Sequence, residues 1–200
     1  AVVGGRGWGG RVGWTAARRS RAVSALTAIS APHPVRLRAA ARTQPQINAW
    51  RYALRYQWPW LPERDFAADC AARVGEVLTD WSVRRRWLTP QVVDRFQAAF
   101  LEANTAHCAM EYHRWAWRSL VRADGRRFNT LMTAEQIRQP VLHIHGRQDP
   151  TILPATASGS EQHVAGPYAL AAIDDCGHFP HEERPEVVLP LLLDWLAEHN

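Results

Sequence analysis

Three short stretches of this 200-residue chain carry reactive residue types in an order that hydrolysis uses. Residues 5–10 read Gly-Arg-Gly-Trp-Gly-Gly. The frame Gly5-x-Gly7-x-Gly9 is that of a strained strand-to-helix turn, which holds a nucleophile between small neighbours. Its central residue should be Ser, Cys or Asp, yet Gly7 stands there. Asp149 in Gly146-Arg147-Gln148-Asp149-Pro150 and His178 in Gly177-His178-Phe179 each follow an apolar β-type run. Nucleophile position, acid and His therefore come in chain order. A carboxylate that orients an imidazole, and an imidazole that removes a proton, are what hydrolysis requires.

The same glycines also satisfy a second pattern, Gly5-x-Gly7-x-x-Gly10, the spacing of a dinucleotide-binding loop. That loop needs an acidic residue about 20 positions further on to bind a ribose hydroxyl. No Asp or Glu lies between Gly10 and Glu63, and Trp8 would crowd a pyrophosphate. An Arg could serve a 2′-phosphate instead, but the loop alone is weak evidence, and no cofactor is expected. His143 and His145 alternate on one predicted strand and face the same side, with no third ligand at a spacing that suits a metal. They are expected to pack, not to coordinate.

Composition narrows the alternatives. All 24 basic residues are Arg and the net charge is +5, with ten Arg preceding the first acidic residue. The arginines are scattered and no nucleic-acid motif accompanies them, so no nucleic-acid partner is expected. No apolar run approaches the ~20 residues that cross a bilayer, so no membrane span is expected. Cys70, Cys108 and Cys176 are odd in number and far apart, which suits a reducing, cytoplasmic setting. No signal peptide is visible, although the first residue is not Met and a targeting segment could lie upstream.

The elements that must position these residues follow from the apolar patterning. Residues 1–4 predict a strand, 9–19 a helix and 23–29 a second strand, together a parallel βαβ unit. From Gln44 to Arg122 the pattern is helical, with Thr89-Pro90 a helix start and Val92, Phe96 and Phe100 at four-residue spacing. Seven of the ten Trp lie in this block. Alternation then resumes: a strand at 140–144, a helix at 155–163, a strand at 168–173 and a last helix over 185–198. That last helix should bury Val188, Leu191, Leu192, Trp195 and Leu196. His181, Glu182 and Glu183 should open it, acidic groups at its positive end. The fold class is α/β in three parts: core segment 1–33, helical lid 34–138 and core segment 139–200.

With these motifs in place, the chain resembles the α/β-hydrolases, and among them the epoxide hydrolases. That family carries Gly-His-Asp-Trp-Gly-Gly at its nucleophile elbow, matched by Gly5–Gly10, and Pro-His-Pro after the next strand, matched by Pro32-His33-Pro34. Its lid opens with an aromatic-Gln-x-Pro segment, similar to Tyr56-Gln57-Trp58-Pro59. The resemblance implies a parallel sheet flanked by helices with an inserted helical lid, and a small apolar, epoxide-like substrate. In the family mechanism an Asp attacks a ring carbon while lid tyrosines hold the oxygen. A His–Asp pair then activates water to cleave the ester. The resemblance assigns the His–Asp pair to His178 and Asp149, and substrate contacts to Trp8, Tyr52, Tyr56, Tyr112 and His113, with Arg55 the nearest match to one tyrosine position.

Two departures carry weight. The family Asp falls on Gly7, which has no side chain to form an ester, and the preceding His falls on Arg6. Each change is one base in the genetic code. The family also has about four strands before the elbow, with a His-Gly-x-Pro loop that helps stabilise the oxyanion. The chain is therefore expected to be a fold truncated at its start, its first strand an exposed edge. The resulting expectation is an epoxide hydrolase-like protein impaired in catalysis. The alternatives are a non-catalytic pseudoenzyme or gene fragment, an error in the sequence, and a relative of the haloalkane-type dehalogenases. Rescue by Arg6→His with Gly7→Asp is expected only where the upstream strands are present.

Overall fold

The computed structural model describes residues 1–199. A four-stranded, wholly parallel sheet runs in the order β1 (Val2–Arg6), β2 (Ala25–Ile29), β3 (Val141–Gly146), β4 (Tyr168–Ile173). Helix α1 (Trp8–Arg19) joins β1 to β2. Eight helices separate β2 from β3: α2 (Pro34–Ala40), α3 (Gln44–Ala49), α4 (Arg51–Arg55), α5 (Leu61–Ala67), α6 (Ala72–Asp80), α7 (Pro90–Leu101), α8 (Thr105–Arg118) and α9 (Ala123–Ala134). The short α10 (Pro154–Ala157) lies between β3 and β4, and α11 (Pro180–Glu183) and α12 (Pro185–His199) follow.

Every residue of β2 and β3 is buried, as the inner strands of a parallel sheet covered on both faces must be. Alternation along them builds two cores. Leu26, Ala28 and Val141 pack with Trp14 of α1 and with Met132 of α9. Ala25, Ile29, Leu142 and Ile144 pack with Val188 and Trp195 of α12. A third cluster lies among the inserted helices, where Tyr56, Phe66, Val74, Leu78 and Met110 enclose Phe179 from beyond β4. Among the described residues β1 is an edge strand, half-buried, with Gly4 exposed.

Several expectations need correction. The stretch 155–163 is not one helix: Gly159, at φ 88°, turns the chain between α10 and a 3₁₀ turn at Ser160–His163. His181, Glu182 and Glu183 form α11, which Arg184 separates from α12. On α12, Val188 and Trp195 are buried, but Leu196 joins Leu189 and Leu193 on the exposed side. No residue of α7 is fully buried, because its apolar spacing covers only the rim of the third cluster. Its start is as expected, with the Thr89 hydroxyl accepting from the Val92 N–H.

Candidate active site

The turn between β1 and α1 keeps the strained backbone of an elbow. Gly7 sits at φ 52°, ψ −117°, its N–H donating to Ile29 O and its carbonyl accepting from Arg11 N–H. Only glycine adopts that region without cost. Two neighbouring glycines are there for close approach. A Cβ on Gly5 would stand 2.5 Å from the Gly9 carbonyl carbon, and one on Gly10 2.3 Å from the Ala31 Cβ. Gly9 itself, expected to be small for the same reason, has nothing within 4 Å of its Cβ position. A Cβ on Gly7 likewise meets nothing within 4 Å.

Asp149 and His178 come together. His178 Nδ1 lies 2.7 Å from Asp149 Oδ2, and both residues are buried. With Nδ1–H donated to the carboxylate, Nε2 keeps a lone pair that can take a proton from water. The other carboxylate oxygen, Oδ1, accepts from Thr151 N–H at 2.8 Å, Thr151 Oγ1 at 2.8 Å and Ile152 N–H at 3.0 Å. Burial pushes the Asp149 carboxyl up, but the charge and hydrogen bond of His178 outweigh it and hold the group at about 2.

A cavity of about 410 Å³ opens beside this pair, its wall mostly aromatic and aliphatic. Gly7, Trp8, Tyr52, Tyr56, His113 and His178 all line it. Tyr112 does not: one residue along α8 turns its side chain away, and it is 51% exposed, packed against Trp8 with ring centres 5.2 Å apart. Arg55 is exposed and pairs with Asp65. His113 stands edge-on to Trp8 and Tyr56, and burial, aided by the field of Arg11, lowers it to about 4, so it is neutral at ordinary pH. Burial raises the phenols of Tyr52 and Tyr56, the latter to about 12, so both keep their protons. Of the seven Trp in the inserted block, Trp50, Trp81 and Trp117 line the cavity, while Trp58 and Trp60 are exposed.

His143 and His145 are packing residues. His143 Nδ1 meets the Tyr168 hydroxyl at 2.8 Å, and His145 Nε2 meets Ile152 O at 2.9 Å. Among the described residues no group of three or more His, Cys, Asp or Glu could hold a metal ion. No described helix is long and apolar enough to cross a membrane.

Three positioning residues went unnoticed in the sequence. Thr151 bridges the pair, its Oγ1 also 2.9 Å from His178 Nδ1; its sequence signal is a hydroxyl two residues beyond Asp149. Buried Gln46 on α3 donates to Thr151 O and accepts from Leu153 N–H and Thr156 Oγ1, tying the inserted helices to the acid loop. Glu183 is also buried, and its carboxylate accepts from four backbone N–H groups, of Val83, Arg84, Gly177 and Phe179. No local pattern marks Gln46, whose partners are remote in sequence, or Glu183, which joins nearby Gly177 and Phe179 to remote Val83 and Arg84.

The described fold, with the elbow after β1, the acid after β3 and the His after β4, matches one family. Residues 1–185 match the model of the alpha/beta hydrolase fold, and the chain belongs to that family. Its relatives include Epoxide hydrolase 3 of Xenopus tropicalis, 24% identical over 98% of this chain and 53% of the relative. Epoxide hydrolase A of Mycobacterium tuberculosis is 26% identical over 98% of this chain and 69% of the relative. The chain thus spans about half the length of the first of these relatives and about two-thirds of the second. Among solved structures, an epoxide hydrolase of Bacillus megaterium in complex with an inhibitor superimposes with a TM-score of 0.81 at 24% identity, covering 98% of this chain and 69% of that one. This last likeness concerns the fold. Within that family the chain is similar to epoxide hydrolases.

Proposed function

We propose that the chain binds a small, mainly apolar, epoxide-like molecule beneath a lid formed by the inserted helices, and that it is impaired in the ester-forming half of hydrolysis. The observation that carries this reading is Gly7: it has elbow backbone and lines the cavity with His178, but brings no atom to attack with. In this reading Tyr52, Tyr56 and the neutral His113 contact the substrate, and Trp8 forms part of the wall. His178 and Asp149 retain the water-activating half of the chemistry. His178 could in principle direct water at a bound epoxide, but covalent catalysis divides one hard step into two easier ones, so its loss should be severe. A pseudoenzyme that keeps the pocket without turnover is the second reading, favoured by the same glycine.

The test is epoxide-to-diol conversion over a set of aryl epoxides, with mass spectrometry for a covalent ester. The expected result is no ester on the chain as it stands and no more than trace diol. An ester trapped on another residue, with turnover, would overturn the reading and relocate the nucleophile.

A further inference from the structure

The cavity has a charge that an epoxide pocket does not need. Arg6 and Arg11 both line it, from the elbow and from the first turn of α1. Among the described residues neither guanidinium makes a hydrogen bond or an ion pair. The guanidinium of Arg6 lies over the Phe179 ring at 4.7 Å, and its Nη1 is buried without a hydrogen-bond partner. Arg11 lies over the Trp8 ring at 4.4 Å, and burial lowers it to about 10. The carboxylates whose fields reach Arg6 are Asp149 and Glu182. Asp149 is already saturated by Thr151, Ile152 and His178, and Glu182 faces His181. Both residues are half-buried, and the buried nitrogen left without an acceptor, Arg6 Nη1, is a costly donor whose cost a bound anion relieves.

The space in front of Gly7 is open, and it adjoins the start of α1. That helix has no capping side chain and no acidic residue in its first turn, so its first N–H groups add to the positive field. Arg suits a carboxylate because its fork matches two oxygens, and the aromatic wall suits an apolar body.

We infer that the cavity is a binding site for an apolar monocarboxylate, whose carboxylate sits over Gly7 between Arg6 and Arg11 and whose hydrocarbon body lies against the aromatic wall. This rests on the reading of the cavity as a small-molecule pocket. It goes further by making the preferred ligand an anion where the family's substrate is neutral. Loss of an acidic side chain at residue 7 and presence of a cation at residue 6 act together, since an aspartate there would repel the ligand and neutralise Arg6.

The test is calorimetric titration near neutral pH with naphthylacetate, its neutral isostere naphthylacetamide, and acetate. The acid should bind at least about tenfold more tightly than the amide, the factor expected of a charge-assisted contact. Acetate, which lacks the apolar body, should bind more weakly than naphthylacetate. Arg6→Gln and Arg11→Gln should each remove most of the acid-over-amide preference, and a thermal-unfolding midpoint close to the parent chain's reports that the variants fold. Equal binding of acid and amide would overturn the inference and leave the apolar pocket standing. Acid preference that persists in both variants would overturn the assignment to these arginines. Binding of neither compound would overturn both this inference and the pocket reading.

Discussion

Glu183 holds the backbone on both sides of His178. Its carboxylate accepts the N–H of Gly177 at 2.9 Å and of Phe179 at 3.0 Å, and also takes the N–H groups of Val83 and Arg84 at 2.8 and 3.0 Å. The His178 N–H itself donates to Trp81 O at 2.8 Å. The imidazole loop and the loop after α6 are therefore one hydrogen-bonded unit. Glu183→Ala should cost about 3 kcal/mol or more, because buried donors lose a charged acceptor. Glu183→Gln should rescue little, since either amide orientation turns an NH₂ toward N–H donors. Denaturant unfolding measures the loss. Limited trypsin digestion should cut at Arg84–Arg86 in the variants earlier than in the parent chain.

Restoring the acid at the elbow should be tolerated but strained. Residue 7 has φ 52°, and its Cβ would enter open space, so Gly7→Asp meets no steric block. The cost is that of holding a non-glycine residue in this region, about 1–3 kcal/mol. Thermal and denaturant unfolding should show a loss in that range. A much larger loss would mean that the space in front of Gly7 is filled in solution. Combined with Arg6→His, the change should yield a trappable ester from an aryl epoxide at residue 7 only in a chain that also supplies the upstream strands and their oxyanion loop.

The Asp149–His178 pair sets an acid limit on stability. The Asp149 carboxyl is held at about 2, below its ordinary value of 3.8, so its stabilisation is complete above about pH 4 and is lost as pH falls toward 2. The difference corresponds to about 2 kcal/mol. The stability gap between the parent chain and Asp149→Asn should be widest near neutral pH and should narrow across pH 4 to 2. A gap independent of pH over that window would show that the carboxylate is not charge-stabilised.

Buried histidines should set in at higher pH. His143 is fully buried, and burial first, then His145, pushes it down to about 3. His33, stacked on His163 at 4.4 Å, is likewise lowered to about 3 by burial and that neighbour. Each stays neutral in the fold but gains a proton when unfolded below about pH 6.5. Each therefore subtracts stability at about 1.4 kcal/mol per pH unit as pH falls from there. His143→Gln, which keeps a partner for the Tyr168 hydroxyl, should flatten the slope of unfolding free energy between pH 6 and 4 by about that amount. An unchanged slope would mean that His143 is already protonated in the fold.

The parallel sheet was readable because β2 and β3 are short, mainly apolar runs bounded by turn residues, and because Asp149 and His178 lie in the loops that follow β3 and β4. Tyr112 and His113 could not be told apart by type, since both are amphipathic and adjacent; only the rotation of α8 decides that His113 faces the cavity. Arg114, one residue further, is buried. Its Nη1 and Nη2 donate to Glu63, Nη2 also to Trp58 O, and Nε to Tyr56 O, a contact spanning about fifty residues that no window detects. Gln46 and Glu183 escaped as well. Gln46 reaches a segment more than a hundred residues away, and the partners of Glu183 are all backbone N–H groups, which carry no side-chain signature.

The glycines of the elbow offer the sharpest contrast, because adjacent residues should respond in opposite directions. A Cβ at Gly10 would lie 2.3 Å from the Ala31 Cβ, so Gly10→Ala must push α1 off the loop that follows β2. That loop is held on the same helix by the bond from Trp14 Nε1 to Ala31 O at 2.8 Å, which leaves little room to yield. Overpacking of this kind costs about 1–3 kcal/mol. Gly9 is exposed in the first turn of α1 with nothing near its Cβ position, so Gly9→Ala should stabilise by about 0.4–1 kcal/mol through the unfolded state. Denaturant unfolding of the two single variants should therefore move the midpoint in opposite directions. Stabilisation by Gly10→Ala would mean that α1 lies further from Ala31 than described here, and that the elbow is held open by something other than this contact.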